Sequence, residues 1–383
     1  MVTRILIFST DDHLMPAGGA EQAFGNIASR LPHIEFDLIC AKLRKGAKAY
    51  EKTGNISIHR IGVGIPKVDG VLLALFGHML ARRLMRTQQY DLLWSIMASY
   101  GAFSAVRVKK RTGLPILLTL QEGDSFDHIY KRVRFVRSLF REIFKSADGL
   151  QAISQYLLQW GKAMGCTGKL GKVIPNGVAL DAFTQTFTQE EIQTKRASFG
   201  FKEGSFILFT SSRLEKKNGI GDVIAALSKL PEHFCLVVCG SGSLEAALKK
   251  QVEHAGLTAR VRFLGFVDPT ELPLLMKASD AFIRPSLSEG LGTAFLEAMA
   301  AGIVTLGTNA GGIPDFLEDG HTGFMVGIKD PQSIAQTLER IASLDSEKKA
   351  QITNNAKALV AERFNWDVVA RHMEELFNNV ART

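Results

Sequence analysis

Cysteine is scarce in this 383-residue chain: four residues, Cys40, Cys166, Cys235 and Cys239, with no paired spacing of the kind zinc sites use. Cys235 and Cys239 lie in the apolar run FCLVVCG, which reads as a buried strand where cysteine serves as a small core residue. A reduced, cytoplasmic setting is therefore expected. Long hydrophobic runs are lacking too. The longest, Val71 to Leu80, is interrupted by Gly77 and His78 and is too short to span a bilayer. Ile5 to Ser9 meets Asp11, Asp12 and His13 at once, so no secretory leader is expected. There is no internal repeat, no low-complexity tract and no Asp-x-Asp. GSGSLEAALKK (Gly240 to Lys250) lacks the third glycine of a dinucleotide fingerprint and gives only weak support to a nicotinamide cofactor.

What is present describes a globular protein: 46% apolar and 22% charged residues in a chain long enough for two domains. Short apolar runs alternate with helical patterns. RILIFS, FDLIC, YDLLWSI, PILLTL, GLQAIS and KVIPN come first, then SFILFTSS, FCLVVCG, VRFLG, AFIRPS and GIVTLGT. Alternation of buried strands with crossover helices predicts parallel α/β sheets, and its occurrence twice predicts two Rossmann-like domains facing a central cleft. Apolar periodicity lapses between Thr184 and Gly204, where the boundary is expected, giving domains 1–185 and 186–363. Charge divides unevenly. Up to Gln185 there are 25 Lys and Arg against 14 Asp and Glu, about +11, and the remainder carries 21 against 24, about −3. An anionic partner is expected for the first domain only.

The most informative stretch is PSLSEGLGTAFLEAMAAG (Pro285 to Gly302). Glu289 opens a loop with Gly290, Leu291 and Gly292, and Thr293 starts an alanine-rich helix carrying Glu297. Glycines let backbone approach a ligand, and first-turn helix amides form an anion site. The helical rise places Glu297 at most roughly 12 Å from Glu289, about the span of a sugar–diphosphate–ribose unit. One carboxylate can take hexose hydroxyls and the other a ribose diol. A surface Glu on an amphipathic helix is the plainer alternative for either one alone. The pair resembles the E-x7-E motif of retaining GT-B glycosyltransferases, in particular glycosyltransferase family 4. RILIFSTDDHLMPAGGAEQAFGNIASRL, VIPNGVALDAF, SSRLEKKNG, VRFLGFVDPTELPLLMKASDAFIRPSLSEG and GGIPDFLEDGHTGFMV are similar to further motifs of that family, in its order.

The resemblance implies a metal-independent, retaining hexosyl transfer from a UDP- or GDP-sugar co-substrate to a glycan, lipid-linked or small-molecule acceptor. Arg213 and Lys217, just after a strand, fit the diphosphate, where cations offset the charge of a departing nucleotide. The family places its lysine at the position of Asn218. Glu289 would orient the hexose, Glu297 the ribose, and the amides of 290–293 the diphosphate. Gly18 and Gly19 would approach the donor. In LLTLQEGDSF, Gln121 stands where many relatives have histidine and Asp124 where they have an acid, which places both on the acceptor side. Glutamine cannot act as a base, and in this family the donor phosphate is thought to take the acceptor proton. The absence of Asp-x-Asp argues against the metal-chelating GT-A class. The terminal helix, about 364–383, packs back on the first domain in the family.

Tyr130 to Lys145 reads as one helix, with Ile129, Val133, Val136, Phe140 and Ile143 on an apolar stripe and Arg134, Arg137, Arg141 and Lys145 on a basic one. A solvated basic face accounts for this as well as a peripheral contact with anionic lipid at the inner face of the membrane. Nucleic acid is not expected, since no binding motif accompanies the charge. Two rival readings are a GT-B nucleotide-sugar epimerase and a nucleotide-sugar-binding subunit that has lost catalysis.

Overall fold

The computed structural model describes residues 1–12, 19–168 and 170–383. They form two compact units, Met1–Gly177 with Trp366–Thr383, and Val178–Asn365. By unit the charge is 27 Lys and Arg against 16 Asp and Glu, about +11, and 19 against 22, about −3.

The first unit is built on β1 (Arg4–Phe8), β2 (Glu35–Ala41), β3 (Tyr50–Thr53), β4 (Ile56–Ile61), β5 (Leu92–Ile96), β6 (Ile116–Leu120), β7 (Gly149–Ala152) and β8 (Leu170–Val173). Their order is β3-β4-β2-β1-β5-β6-β7-β8, parallel apart from the antiparallel β3–β4 pair. The second unit has β9 (Phe206–Ser211), β10 (Phe234–Cys239), β11 (Val261–Gly265), β12 (Ala281–Ile283), β13 (Val304–Thr308) and β14 (Phe324–Val326). Its order is β11-β10-β9-β12-β13-β14, with every pairing parallel. The apolar runs are strands because helices cover both faces of each sheet, so side chains of either parity are buried. All six residues of β10 are buried, Cys235 and Cys239 included. β3 and β4 carry no continuous apolar run and β14 is only three residues long, and none of the three was anticipated.

The C-terminal helix Trp366–Val380 packs into the first unit, with Phe377 4.9 Å from the Trp94 ring centroid. The outgoing and returning chains meet where Val178 N donates to Phe364 O at 2.7 Å. The first break thus falls at 177/178, ahead of the expected 184–204. The short helix Leu180–Thr184 with buried Phe183 belongs to the second unit, and the polar stretch after it leads into the helix Gln189–Ser198, opened by a Thr188/Glu191 capping box.

The single helix expected over 130–145 is two, Phe126–Arg132 and Arg137–Lys145, joined by a 3-10 turn at Arg134–Val136. The break lets both halves reach one anchor: Phe126 stacks on Trp160 at 4.7 Å and Phe144 meets it edge-on at 5.1 Å. It also turns Phe135 outward, 85% exposed.

In each sheet the strand order reverses once, between β1 and β5 and between β9 and β12. Loops leaving neighbouring strands diverge at such a point and open a crevice at the carboxyl ends, where ligands of open α/β sheets bind.

Candidate functional site

At the reversal in the second unit the two flanking loops are those the sequence singled out. After β9 come Arg213, exposed, Lys217, half-buried, and Asn218, buried. Asn218 Nδ2 donates to Arg213 O at 2.6 Å, so its amide closes the loop that presents Arg213. Gly219 has φ +70°, and a Cβ there would overlap the Pro285 carbonyl. Leu287 N donates to Lys217 O at 2.6 Å. The loops after β9 and β12 are therefore joined backbone to backbone. The GSGS turn after β10 buttresses them. Leu214 N donates to Ser241 O at 2.9 Å, and the Glu215 carboxylate accepts from Ser243 N at 3.1 Å and Ser243 Oγ at 2.7 Å.

Glu289 is held on both sides. Arg284 Nη2 donates to Glu289 Oε2 at 2.7 Å, and the Arg284 guanidinium lies 4.6 Å from the Phe295 ring centroid. Glu289 Oε1 accepts from Gly290 N at 3.2 Å, and Glu289 O accepts from Gly312 N at 3.2 Å. A Cβ on Gly311 would overlap that carbonyl, which gives the GGIPDF segment a physical role as a clamp on the Glu289 loop. Gly292, φ +97°, is the N-cap of the helix Thr293–Ala301 and offers its first turn no side-chain acceptor. Glu297 lies one turn from Thr293 on this helix. Burial pushes its carboxyl up to about 7, with Arg284 opposing. Arg284 thus acts on both carboxylates of the motif, and the sequence reading had not selected it. The buried Thr210, Ser212 and Ser286 hydroxyls and Arg284 Nε have no hydrogen-bond partner among the described residues. All four collect at the end of β9 and on the loops after β9 and β12, where a polar ligand would satisfy them.

In the first unit Gly18 lies outside the described residues, and Gly19 begins the helix Gly19–Arg30. Gln121 and Asp124 follow β6. Gln121 Oε1 accepts from Asn176 Nδ2 at 3.0 Å, tying the β6 loop to the VIPNG segment, while Asp124 lines a cavity of about 330 Å³. That cavity sits at the β1/β5 reversal, walled by Ser9, Asp11, Tyr100, Glu122 and Phe140.

Glu122 was missed from the sequence. It is 8% exposed, its Oε1 accepts from Ala98 N at 3.1 Å, and its buried Oε2 has no hydrogen-bond partner among the described residues. The available signal was a carboxylate two residues past a mostly apolar strand, ILLTL. Burial pushes the Glu122 carboxyl from 4.5 up to about 7 against the pull of the Ala98 amide. The folded chain then keeps a proton that the unfolded chain loses, so this group costs stability as pH rises from about 4.5 to about 7, and the full cost persists above. Glu122→Gln is expected to leave stability near that of the parent at pH ~5 and raise it by on the order of 3 kcal/mol at pH ~8. Urea denaturation at both pH values checks this, and an equal difference at each would remove the buried-carboxylate account.

Two family profiles match the chain: "Glycosyltransferase Family 4" over residues 17–182 and "Glycosyl transferases group 1" over residues 191–379. An uncharacterised glycosyltransferase of Methanocaldococcus jannaschii is 33% identical over 208 residues, so the chain spans about half of that relative (54% of this chain, 53% of the other). A GDP-mannose-dependent alpha-(1-6)-phosphatidylinositol monomannoside mannosyltransferase of Mycobacterium tuberculosis is 25% identical over 98% of both chains. Among solved structures, Anabaena HepE in complex with UDP and glucose aligns over 98% of this chain and 100% of its own, with TM-score 0.78 and 22% identity. Sucrose-phosphate synthase from Thermosynechococcus elongatus aligns over 99% of both chains, with TM-score 0.84 and 19% identity.

Proposed function

From the premise that this chain belongs to the group 1, family 4 glycosyltransferases and has their GT-B fold, we propose that it is a metal-independent, retaining hexosyltransferase using a nucleoside-diphosphate sugar. The observation that carries the reading is the pair of loops at the β9/β12 reversal, which bring Arg213, Lys217 and Glu289 to one end of one sheet. The second unit takes the donor. As the bond from the sugar's anomeric carbon to the diphosphate oxygen breaks, negative charge builds on the leaving phosphate. Arg213, Lys217 and the first-turn amides of the helix Thr293–Ala301 offset it. Occupation of the Asn218 amide by Arg213 O supports Lys217 as the second cation. Glu289, fixed by Arg284, orients the hexose hydroxyls, and Glu297 takes the ribose. The acceptor hydroxyl forms the new bond on the face the diphosphate leaves, and its proton passes to the departing phosphate oxygen.

The first unit takes the acceptor at the β1/β5 cavity, with Glu122 and Asp124 on its wall. Its charge of about +11, and the lipid acceptor named for the mycobacterial relative, support a glycan or lipid-linked acceptor met on the cytoplasmic side of an anionic membrane.

The test is a panel of UDP- and GDP-sugars, with released nucleoside diphosphate measured with and without acceptor extracts and with and without EDTA. Turnover with one donor, stimulated by acceptor and unchanged by chelator, is expected, because side chains and amides supply the positive charge. Loss of turnover in EDTA restored by magnesium or manganese would sink metal independence. Donor epimerisation without acceptor, or binding without turnover, would replace the reading with that of an epimerase or an inactive subunit.

A further inference from the structure

The longest apolar run in the sequence, Val71 to Leu80, lies within the helix Pro66–Leu84 of the first unit, and most of its large side chains point outward. The buried side of this helix is made of small residues with one leucine: Gly70, Leu73, Gly77 and Ala81. Gly70 lies against the Tyr100 ring and Gly77 against Ser104, whose Oγ donates to Leu73 O at 2.7 Å. A neighbouring helix therefore comes so close that only glycine fits, and the bulky residues go to the other side. Val68, Val71, Leu75, Phe76 and Met79 are all exposed, with Met79 at 57%. At helical spacing these five share one stripe. Val63 and Ile65, exposed in the preceding loop, are held in place by Asp69, whose carboxylate accepts from the amides of Leu43, Val63, Gly64 and Ile65.

Charge around this face has one sign. Asp69 is the sole carboxylate between 66 and 86, and it is buried beneath the loop. Lys67, Arg82, Arg83 and Arg86 are exposed on or just past the helix. Arg107 and Arg111 add to Arg82 from the adjoining helix, and with burial the three hold the His78 imidazole below its usual range. Five exposed large apolar side chains gathered on one helix stripe, rather than scattered singly, mark a contact site. A two-fold pairing with a second copy through this face would run the helices antiparallel and set Arg82, Arg83 and Arg86 of each against the Lys67 end of the other, with no exposed carboxylate on either helix to offset the like charge. No helix of the described residues is long and apolar enough to cross a membrane, so a helix of this kind lies in the interface plane, apolar face down and arginines at the headgroups.

We propose that the outward face of the helix Pro66–Leu84, with Val63 and Ile65 before it and Arg82, Arg83 and Arg86 at its end, inserts into the headgroup region of an anionic phospholipid bilayer. This rests on the reading that the first unit meets a membrane. It moves the principal contact from the basic segment at 131–145 to this helix, and it adds an apolar term that salt does not screen.

The experiment is co-sedimentation of the full chain with vesicles of phosphatidylcholine alone and of phosphatidylcholine with phosphatidylserine, at low and high salt. The parent is expected to prefer the anionic vesicles and to stay partly bound at high salt. Leu75→Ser/Phe76→Ser/Met79→Ser is expected to weaken partitioning by at least about tenfold. Arg82→Ser/Arg83→Ser/Arg86→Ser is expected to remove the anionic preference. The substituted side chains are exposed, so donor hydrolysis measured on the same preparations should be unchanged and separates this inference from the transferase reading. Parent-like binding by the apolar variant overturns the proposal. If only Arg134→Ser/Arg137→Ser/Arg141→Ser loses binding, the helix is wrong and the membrane reading stands. A parent that binds neither vesicle overturns both. A parent dimer in sedimentation velocity that the apolar variant dissolves overturns the proposal in favour of a second copy.

Discussion

Replacing Glu289 by glutamine is expected to lower sugar transfer by about 10²–10³-fold while leaving nucleoside-diphosphate affinity within about twofold. The carboxylate's contacts in the proposed site are to the hexose, so the nucleotide and diphosphate contacts survive its loss. Glutamine is the informative replacement because of Arg284. Arg284 is 7% exposed, donates to Glu289 Oε2, and has a buried Nε with no hydrogen-bond partner among the described residues. Alanine would leave a buried cation with neither a counter-charge nor a hydrogen-bond acceptor, a loss typically worth about 3–5 kcal/mol, and a fall in activity could then reflect a damaged loop. Glutamine keeps an acceptor oxygen toward Arg284 and removes the negative charge. The measurements are transfer rate with the native donor, diphosphate affinity by calorimetry, and thermal stability of parent, Gln and Ala variants. Unchanged turnover in the glutamine variant removes Glu289 from the site.

Arg213→Ala is expected to lower transfer and weaken diphosphate binding together. An exposed arginine at the end of β9 has no packing role to lose, and Asn218 hydrogen-bonds the backbone of residue 213, so the loop should keep its shape without the guanidinium. A charge-assisted contact desolvated by a bound ligand is worth about 1.5–3 kcal/mol, or about 10- to 150-fold in affinity. The fall in rate should exceed the fall in affinity, because charge on the leaving phosphate grows toward the transition state. Equal nucleotide affinity in variant and parent would defeat this role. A fall in affinity with an unchanged maximal rate would make Arg213 a binding residue alone.

Much of the second unit's candidate site was legible because its parts lie close together in sequence. Glu289, the two glycines, the helix start and Glu297 fall within nine residues, and a turn leading into a helix can be read from such a segment. Arg213 and Lys217 were found the same way. What holds these groups was not legible. Arg284 reads as an ordinary residue after a strand until its side chain is seen folded back on Glu289. Nothing in SSRLEKKNG says that Asn218 turns inward to the Arg213 carbonyl while Lys217 does not occupy that place. Gly311 looks like a turn glycine, and only its approach to the Glu289 carbonyl makes it a clamp. Glu122 was passed over because burial, which singles out a carboxylate physically, is not a property of neighbouring letters.

The sequence by itself determined the architecture and the charge of each half. A strand covered on both faces is apolar at most positions of either parity, so runs such as FILFTS and FCLVVC announce parallel sheets wherever they alternate with helices. Net charge follows from counting, and the asymmetry of about +11 against −3 is the same by sequence halves and by compact units. The tertiary structure alone decided which elements are neighbours and which side of an apolar helix is outside. β9 and β12 are separated by some seventy residues yet lie side by side, and that adjacency assembles the loops proposed to take the donor. Leu73 and Leu75 are the same residue type two positions apart, one buried and one exposed. Their difference comes from the close approach of a second helix at Gly70 and Gly77, a contact between segments that local pattern does not encode.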